Sequence, residues 1–170
     1  MLEEPQDWYD TWQEMKASGE AARGDGAFWL AEKYEYAEDS TAPNPDITID
    51  TSGVKLVAQP GADGFLTFEQ LGAAGDGTTN DRAAFLRASG RKVRGLPGST
   101  YFLDLNTYTD AIEVTNNTVW EFPHGCEILW DGVHCVLFHT KQGATGVRIE
   151  RPQIVYSGTA PDTLPYTQAE

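Results

Sequence analysis

The sequence predicts a mainly β protein with α-helices at its N-terminus. From about residue 98 onward, apolar and polar residues alternate in short runs, and turn-forming residues separate these runs at roughly eight- to twelve-residue spacing. Near the start, Trp8, Trp12 and Met15 recur at the spacing of one helix face. Short strands in such a series are typical of a sandwich, a barrel or a solenoid, and periodicity alone does not choose among them.

Composition excludes several classes of partner. The chain has 170 residues, of which 40% are hydrophobic, so it can form a core. Its formal net charge is −14, and nucleic acid and anionic membrane surfaces repel such a chain. Because of this charge, we expect no nucleic-acid binding. No apolar run has the length of a membrane span, so we also expect no membrane insertion. No cofactor is predicted.

Residues 1–40 are predicted to form a helical, acidic module. They contain eleven acidic and three basic residues, a net charge of −8. One helix is expected over residues 7–17 and a second from Gly26 to Glu38. The large apolar side chains of this module must be buried, either against the rest of the chain or against a partner. The residues predicted to anchor a partner are Trp8, Trp12, Met15 and Trp29.

Residues 41–64 are predicted to be a linker followed by a β-hairpin. Two prolines and several turn formers leave residues 39–46 without a periodic face. After them, Ile47–Ile49 and Val54–Val57 alternate around a turn that contains Gly53.

A glycine-rich motif follows within residues 65–88. A short apolar strand ends at a glycine-rich turn. Gly72, Gly75 and Gly77 in this turn permit backbone angles that other residues resist. Thr79, Asn80 or Asp81 is expected to cap the helix that follows. The motif residues are Gly72, Gly75, Asp76, Gly77 and Asp81, with Ala84 and Phe85 on the apolar face of the helix.

This stretch resembles the N-terminal motif of the pectate-lyase-like family, in which Gly-Ala-x-Gly-Asp-Gly precedes an alanine-rich helix. Val93–Tyr101 resembles the family's next strand and Pro-Gly turn, although Gly95 stands where an apolar strand is usual. The resemblance covers residues 65–157. It implies a capping helix and the first coils of a right-handed parallel β-helix, with residues 158–170 as a tail or a continuation. In that family the motif is structural and not catalytic.

The resemblance also implies a function, because phage tailspikes and capsule depolymerases commonly begin in this way. The chain is then expected to be a virion tailspike component in which a helical and β-hairpin module precedes the β-helix. Residues 1–40 would anchor a homotrimeric spike to phage tail, baseplate or portal proteins, and distal regions would bind host surface polysaccharide. The expected location is the phage tail, after synthesis in the cytoplasm of the bacterial host.

Two alternatives stay open. One is a polysaccharide lyase or hydrolase of the same fold, and the other is a free-standing adaptor that joins another tailspike to the tail. Catalysis is not expected within these 170 residues, whereas a longer protein that contains them is expected to be able to cut polysaccharide.

Two groups of side chains bear on chemistry. Histidines and cysteines are concentrated between residues 124 and 139, but their spacing matches no standard zinc site, so no metal is expected. Carboxylates in the β region would either act in pairs on a sugar or lie on solvated faces. These carboxylates are Asp104, Glu113, Glu121, Glu127, Asp131 and Glu150.

Overall fold

The structure of the chain is a computed structural model. It describes residues 8–17, 27–30, 34–39, 41–42, 45–48, 53–105, 111–132 and 137–156. These ranges contain fifteen β-strands, two α-helices and one 3-10 helix. The strands form one five-stranded mixed sheet, two four-stranded parallel sheets and one two-stranded parallel sheet.

The mixed sheet is built from the N-terminal strands. Its strand order is β1-β2-β3-β5-β4, in which β1 and β2 are parallel and the other pairs are antiparallel. Its central strand is fixed by Tyr36, which is fully buried and donates its hydroxyl hydrogen to the Gln70 carbonyl at 2.7 Å. The bounds are β1 Trp8–Tyr9, β2 Ala27–Leu30, β3 Tyr34–Glu38, β4 Ile47–Thr48 and β5 Lys55–Ala58.

The parallel sheets contain the remaining strands. The first parallel sheet has β6 Leu66–Thr67, β8 Lys92–Arg94, β11 Val119–Glu121 and β14 Arg148–Glu150. The second has β7 Asp76–Asn80, β9 Thr100–Asp104, β12 Glu127–Asp131 and β15 Gln153–Tyr156. The third has β10 Ile112–Val114 and β13 Phe138–Thr140. In each of the three parallel sheets the strands lie side by side in the order in which they occur along the chain.

The helices are short. α1 covers Trp12–Ala17 and begins with reciprocal hydrogen bonds: the Thr11 hydroxyl accepts the Glu14 N–H, and the Glu14 carboxylate accepts the Thr11 N–H, both at 3.1 Å. The 3-10 helix covers Glu69–Leu71. α2 covers Arg82–Ala88 and buries its Ala84, Phe85 and Ala88 side chains.

An aromatic cluster forms the centre of the core. Phe68 and Phe85 stack with ring centroids 4.2 Å apart, and Trp120 meets both rings edge-on. The Trp120 indole N–H donates to the Ala88 carbonyl at 3.0 Å. The cluster therefore joins the 3-10 helix, α2 and the first parallel sheet. Its members are Phe68, Phe85, Tyr101, Trp120, Phe122 and Phe138.

A buried ion pair connects the mixed sheet to the parallel sheets. The Asp46 side chain is 3% exposed and accepts two hydrogen bonds from the Arg91 guanidinium, at 2.5 and 3.1 Å. The same carboxylate accepts the Ala58 N–H at 2.8 Å. Asp46 thus holds β5 and the residue before β8 together.

The predicted fold class is wrong. The described residues form a mixed sheet and three small parallel sheets with two short α-helices, rather than a helical module followed by a right-handed parallel β-helix. Alternation of polar and apolar residues determines which side of a strand is buried, but it does not determine how several sheets are arranged. The alternation therefore predicts many short strands, whereas the β-helix was predicted only from the resemblance to the pectate-lyase-like family.

The N-terminal helices are part of the same correction. The segment expected to form a helix from Gly26 to Glu38 contains β2 and β3, which pair antiparallel. Its aromatic residues favour strands, and neighbouring strands decide the outcome for such a short segment. In the first expected helix only Trp12–Ala17 is helical, and Trp8 lies in β1.

Other local predictions are confirmed. β4 and β5 pair antiparallel as the expected hairpin, and α2 follows the glycine-rich motif. Gly95, which departs from the pectate-lyase-like pattern, has a packing reason. A Cβ atom on Gly95 would lie 2.6 Å from the Cys126 sulfur, so only glycine allows this approach.

Candidate functional site

The glycine-rich loop is organised by backbone geometry. Gly72, Gly75 and Gly77 have φ angles of 93°, 63° and 76°, which favour glycine over other residues. The exposed Asp76 carboxylate accepts the N–H groups of Thr78 and Thr79 at 2.8 and 2.7 Å. These bonds hold the pKa of Asp76 well below its usual range, and the bond from the Thr79 N–H has the largest effect.

Asp81 fastens this loop to the second parallel sheet. It occupies the N-cap position of α2, but its side chain makes no bond to the helix. Instead the carboxylate accepts N–H groups from Ala74 at 2.6 Å, and from Gly75 and Phe102 at 3.3 Å. Asp81 is 2% exposed, and burial raises its pKa to about 6 against the lowering effect of these donors.

The stability of the protein is therefore expected to depend on Asp81 between pH 4 and 7. Because its pKa is about 6 in the fold and about 3.8 as a free side chain, the fold binds the proton more tightly. The stabilising contribution of protonated Asp81 is complete below about pH 3.8 and is lost as the pH rises through about 6. Chemical denaturation at a series of pH values should show the wild type losing stability relative to Asp81→Asn as the pH rises. A constant difference between the two proteins would contradict this assignment.

Glu69 is the centre of a second, partly buried set of polar side chains. Its carboxylate accepts hydrogen bonds from the hydroxyls of Tyr101 at 2.6 Å and Ser99 at 3.2 Å. Burial, followed by the Glu69 charge, raises the pKa of Tyr101 above its usual range. Burial likewise raises the pKa of the Cys126 thiol to about 12, so this thiol is protonated and is not a nucleophile at neutral pH.

Two clefts open near these groups. The first, of about 350 Å³, is lined by Trp12 and Glu69, among others. The Trp12 indole nitrogen and the Glu69 Oε2 atom are buried and have no hydrogen-bond partner in the described part of the chain.

The larger cleft, of about 460 Å³, lies between the mixed sheet and the first parallel sheet. Arg94 lines it, stacks over the Phe65 ring at 4.4 Å and pairs with Asp63 at 2.6 Å. Hydrogen bonds from the Phe65 N–H and then from Arg94 lower the pKa of Asp63. Asp63 is therefore ionised at neutral pH and cannot serve as a general acid.

The predicted anchor residues are used in different ways. Met15 is fully buried, and the Trp12 ring packs against Gly72 and under the Arg87 guanidinium, 5.1 Å from the ring centre. Both therefore contact the chain itself. The backbones of Trp8 and Trp29 pair in parallel between β1 and β2, and their side chains lie outside the described residues.

The predicted chemical groups are spread over several faces. In the described ranges no three histidine, cysteine or acidic side chains are placed to hold a metal ion. Cys126 is buried and His124 is exposed, whereas His134 and Cys135 fall outside the described residues. Of the carboxylates, Glu121 pairs with Arg94 at 3.0 Å, and Glu113 is exposed on the third sheet. Asp104 and Asp131 are register partners in the second sheet.

Sequence reasoning missed three features that the structure brings together. The Asp46–Arg91 pair and the Glu69–Tyr101 contact join residues 45 and 32 positions apart, and no local pattern marks such pairs. The third is the outer face of the second parallel sheet. It was detectable, because Phe102 lies between the inward-facing residues of an alternating strand.

None of the protein families, curated proteins or solved structures compared with this chain matches it. Its function must therefore be inferred from its own residues and their contacts. No helix within the described ranges has the length and apolar character needed to cross a membrane.

Proposed function

We propose that this chain is a component of a phage tailspike and fixes a trimeric spike to the virion, while distal regions bind host surface polysaccharide. One observation carries the proposal. The mixed sheet contacts residues near the first parallel strands, through Tyr36 to Gln70 and Asp46 to Arg91. Later strands are then added away from that contact, and β14 and β15 come last. Two unlike ends suit a protein that is held at one end and reaches outward at the other.

Charge agrees with this role. The net charge of −14, of which −8 lies in residues 1–40, disfavours phosphate-rich partners and is compatible with protein and neutral polysaccharide partners. The far end also offers a place for continuation. Within the described residues no strand pairs with the outer edges of β14 and β15, and Ile154 is 45% exposed there. An open strand edge is a template for another strand.

The core contacts decide how docking to the particle can be tested. Deleting residues 1–40 would remove Met15 and Tyr36, both fully buried, and would disrupt the fold together with any docking surface. Surface changes avoid this difficulty. Gln13 and Ala17 are exposed and lie one turn apart on α1, so they share a face. We propose that this exposed face of α1 docks to the particle.

The Gln13→Arg and Ala17→Arg double variant is expected to fold normally but to be lost from purified particles of the phage that encodes the chain. Quantitative immunoblotting of the particles measures incorporation, and circular dichroism checks the fold. The matched control places two arginines on the third sheet, with Glu113→Arg and Thr140→Arg, and should be incorporated normally. A wild-type chain absent from particles would overturn the proposed function, and normal incorporation of the α1 variant would overturn docking through α1.

A further inference from the structure

The outer face of the second parallel sheet carries an apolar row. Leu129 of β12 is in register with Phe102 of β9 and Val155 of β15. These three side chains point outward, because their neighbours Tyr101 and Ile128 are fully buried on the inner side. Phe102 and Leu129 are partly exposed, and Val155 is 40% exposed. The row crosses three adjacent strands, a span of about 10 Å at the usual strand spacing.

Two carboxylates flank the centre of this row. Glu127 and Asp131 stand two positions before and after Leu129 on β12, so they share its face. Four residues of extended strand separate them, a distance of about 13 Å. Glu127 accepts a hydrogen bond from the neutral side-chain amide of Gln153, and neither carboxylate forms an ion pair within the described ranges. Glu127, Leu129 and Asp131 are called the β12 strip below.

The first parallel sheet shows how outward carboxylates are compensated elsewhere in this chain. Glu121 of β11 pairs with Arg94 of β8 at 3.0 Å and lies 3.8 Å from Arg148 of β14. Arg148 also pairs with Glu150 at 3.2 Å. By contrast, the four strands of the second sheet contain four acidic residues and no lysine or arginine. The β12 strip therefore receives no positive charge from the strands of its own sheet.

We propose that the β12 strip binds an extended segment of another protein in which two basic residues flank an apolar residue at alternate positions. Basic residues four positions apart on an extended chain are also about 13 Å apart. They can therefore pair with both carboxylates while the apolar side chain between them packs on Leu129. The size of the strip favours a short segment, because a stable interface between folded proteins buries about 800 Å² on each side, far more than an area of about 10 by 13 Å.

The sequence itself excludes a second copy of this chain as the occupant. Among its lysines and arginines only Arg87 and Arg91 are four positions apart, and the polar Ser89 stands midway between them. Arg87 also belongs to α2 and is not extended. The partner is therefore a different protein, recognised by its spacing of basic, apolar and basic residues. This proposal does not depend on the tailspike role, because it rests only on the residues of the second sheet.

Nuclear magnetic resonance titration of the isotope-labelled full chain tests the spacing. The probe is the end-blocked peptide Gly-Lys-Ser-Leu-Ser-Lys-Gly. Its control, Gly-Leu-Ser-Lys-Lys-Ser-Gly, has the same composition and charge but not the same spacing. The probe should shift the amide signals of Phe102, Leu129 and Val155 and should bind at least about threefold more tightly than the control. Equal affinities, or shifts confined to other residues, would overturn the proposal.

Charge reversal on the protein tests the role of the two carboxylates. Glu127→Lys with Asp131→Lys should weaken binding of the probe at least about fivefold, because like charges then face each other. Asp10→Lys with Glu113→Lys makes the same change of net charge at exposed residues outside the second sheet and should have little effect. If this control pair weakened binding as much, net charge and not the β12 strip would attract the peptide, and the proposal would fail.

A third pair of variants tests the apolar contact. Leu129→Ser should weaken binding, whereas Leu86→Ser, at a side chain 40% exposed on α2, should not. The spectrum of each variant also shows whether the fold is kept. Unchanged binding by a folded Leu129→Ser variant would contradict the proposed contact.

Discussion

Replacing Trp120 with alanine is expected to lower the free energy of unfolding by about 3–5 kcal/mol, the usual cost of removing a buried tryptophan. The side chain is fully buried, and its ring lies 5.4–5.8 Å from those of Phe68, Phe85 and Phe138. Its loss would leave a cavity among three elements and an Ala88 carbonyl without its indole donor. Denaturant unfolding followed by circular dichroism measures the change.

Trp130 provides the matched control for this change. It lies on the second parallel sheet, is only partly buried, and packs on Tyr156 with ring centroids 4.8 Å apart. Trp130→Ala should therefore cost clearly less than Trp120→Ala. An equal or larger loss at Trp130 would show that the aromatic cluster is not the centre of the core.

Replacing Asp46 with alanine is expected to be the second most damaging change, at about 3 kcal/mol. Removing one partner of a buried ion pair leaves a charge without compensation, and this typically costs about 3–5 kcal/mol. The lower end applies because the Arg91 side chain is 28% exposed and water can reach it. The Ala58 N–H also loses its acceptor. Denaturation midpoints of the purified variant give the effect directly.

Two further variants make this prediction specific. The double change Asp46→Ala with Arg91→Ala removes both charges and should recover part of the loss. Asp63→Ala breaks the comparable contact with Arg94, but both partners are well exposed, so stability should change little. If Asp63→Ala destabilised the protein as much as Asp46→Ala, burial would not be the reason.

Local features of the fold followed from the residues because they depend on near neighbours. Glycines at positive φ, the hairpin after residue 46 and the apolar face of α2 are determined by short stretches of chain. The inward positions of the later strands, such as Tyr101 and Ile128, were also recognisable from alternation.

The arrangement of sheets could not be predicted in the same way. β2 and β3 form strands because they pair with each other and β3 also pairs with β5, and the amino acids of a four- or five-residue segment do not encode such partners. The same reason applies to the candidate site. The Asp46–Arg91 pair and the Glu69–Tyr101 contact join residues 45 and 32 positions apart, so they exist only once distant elements lie side by side.

The strand order has a consequence for synthesis of the protein on the ribosome. Every strand of the parallel sheets pairs on one side with a strand that occurs earlier in the chain, apart from the first strand of each sheet. Paired residues lie only 22 to 29 positions apart, from Asn80 with Phe102 to Val119 with Arg148. The partner of each newly emerged strand has therefore already been synthesised, and the sheets can grow in the direction of translation without waiting for distant sequence.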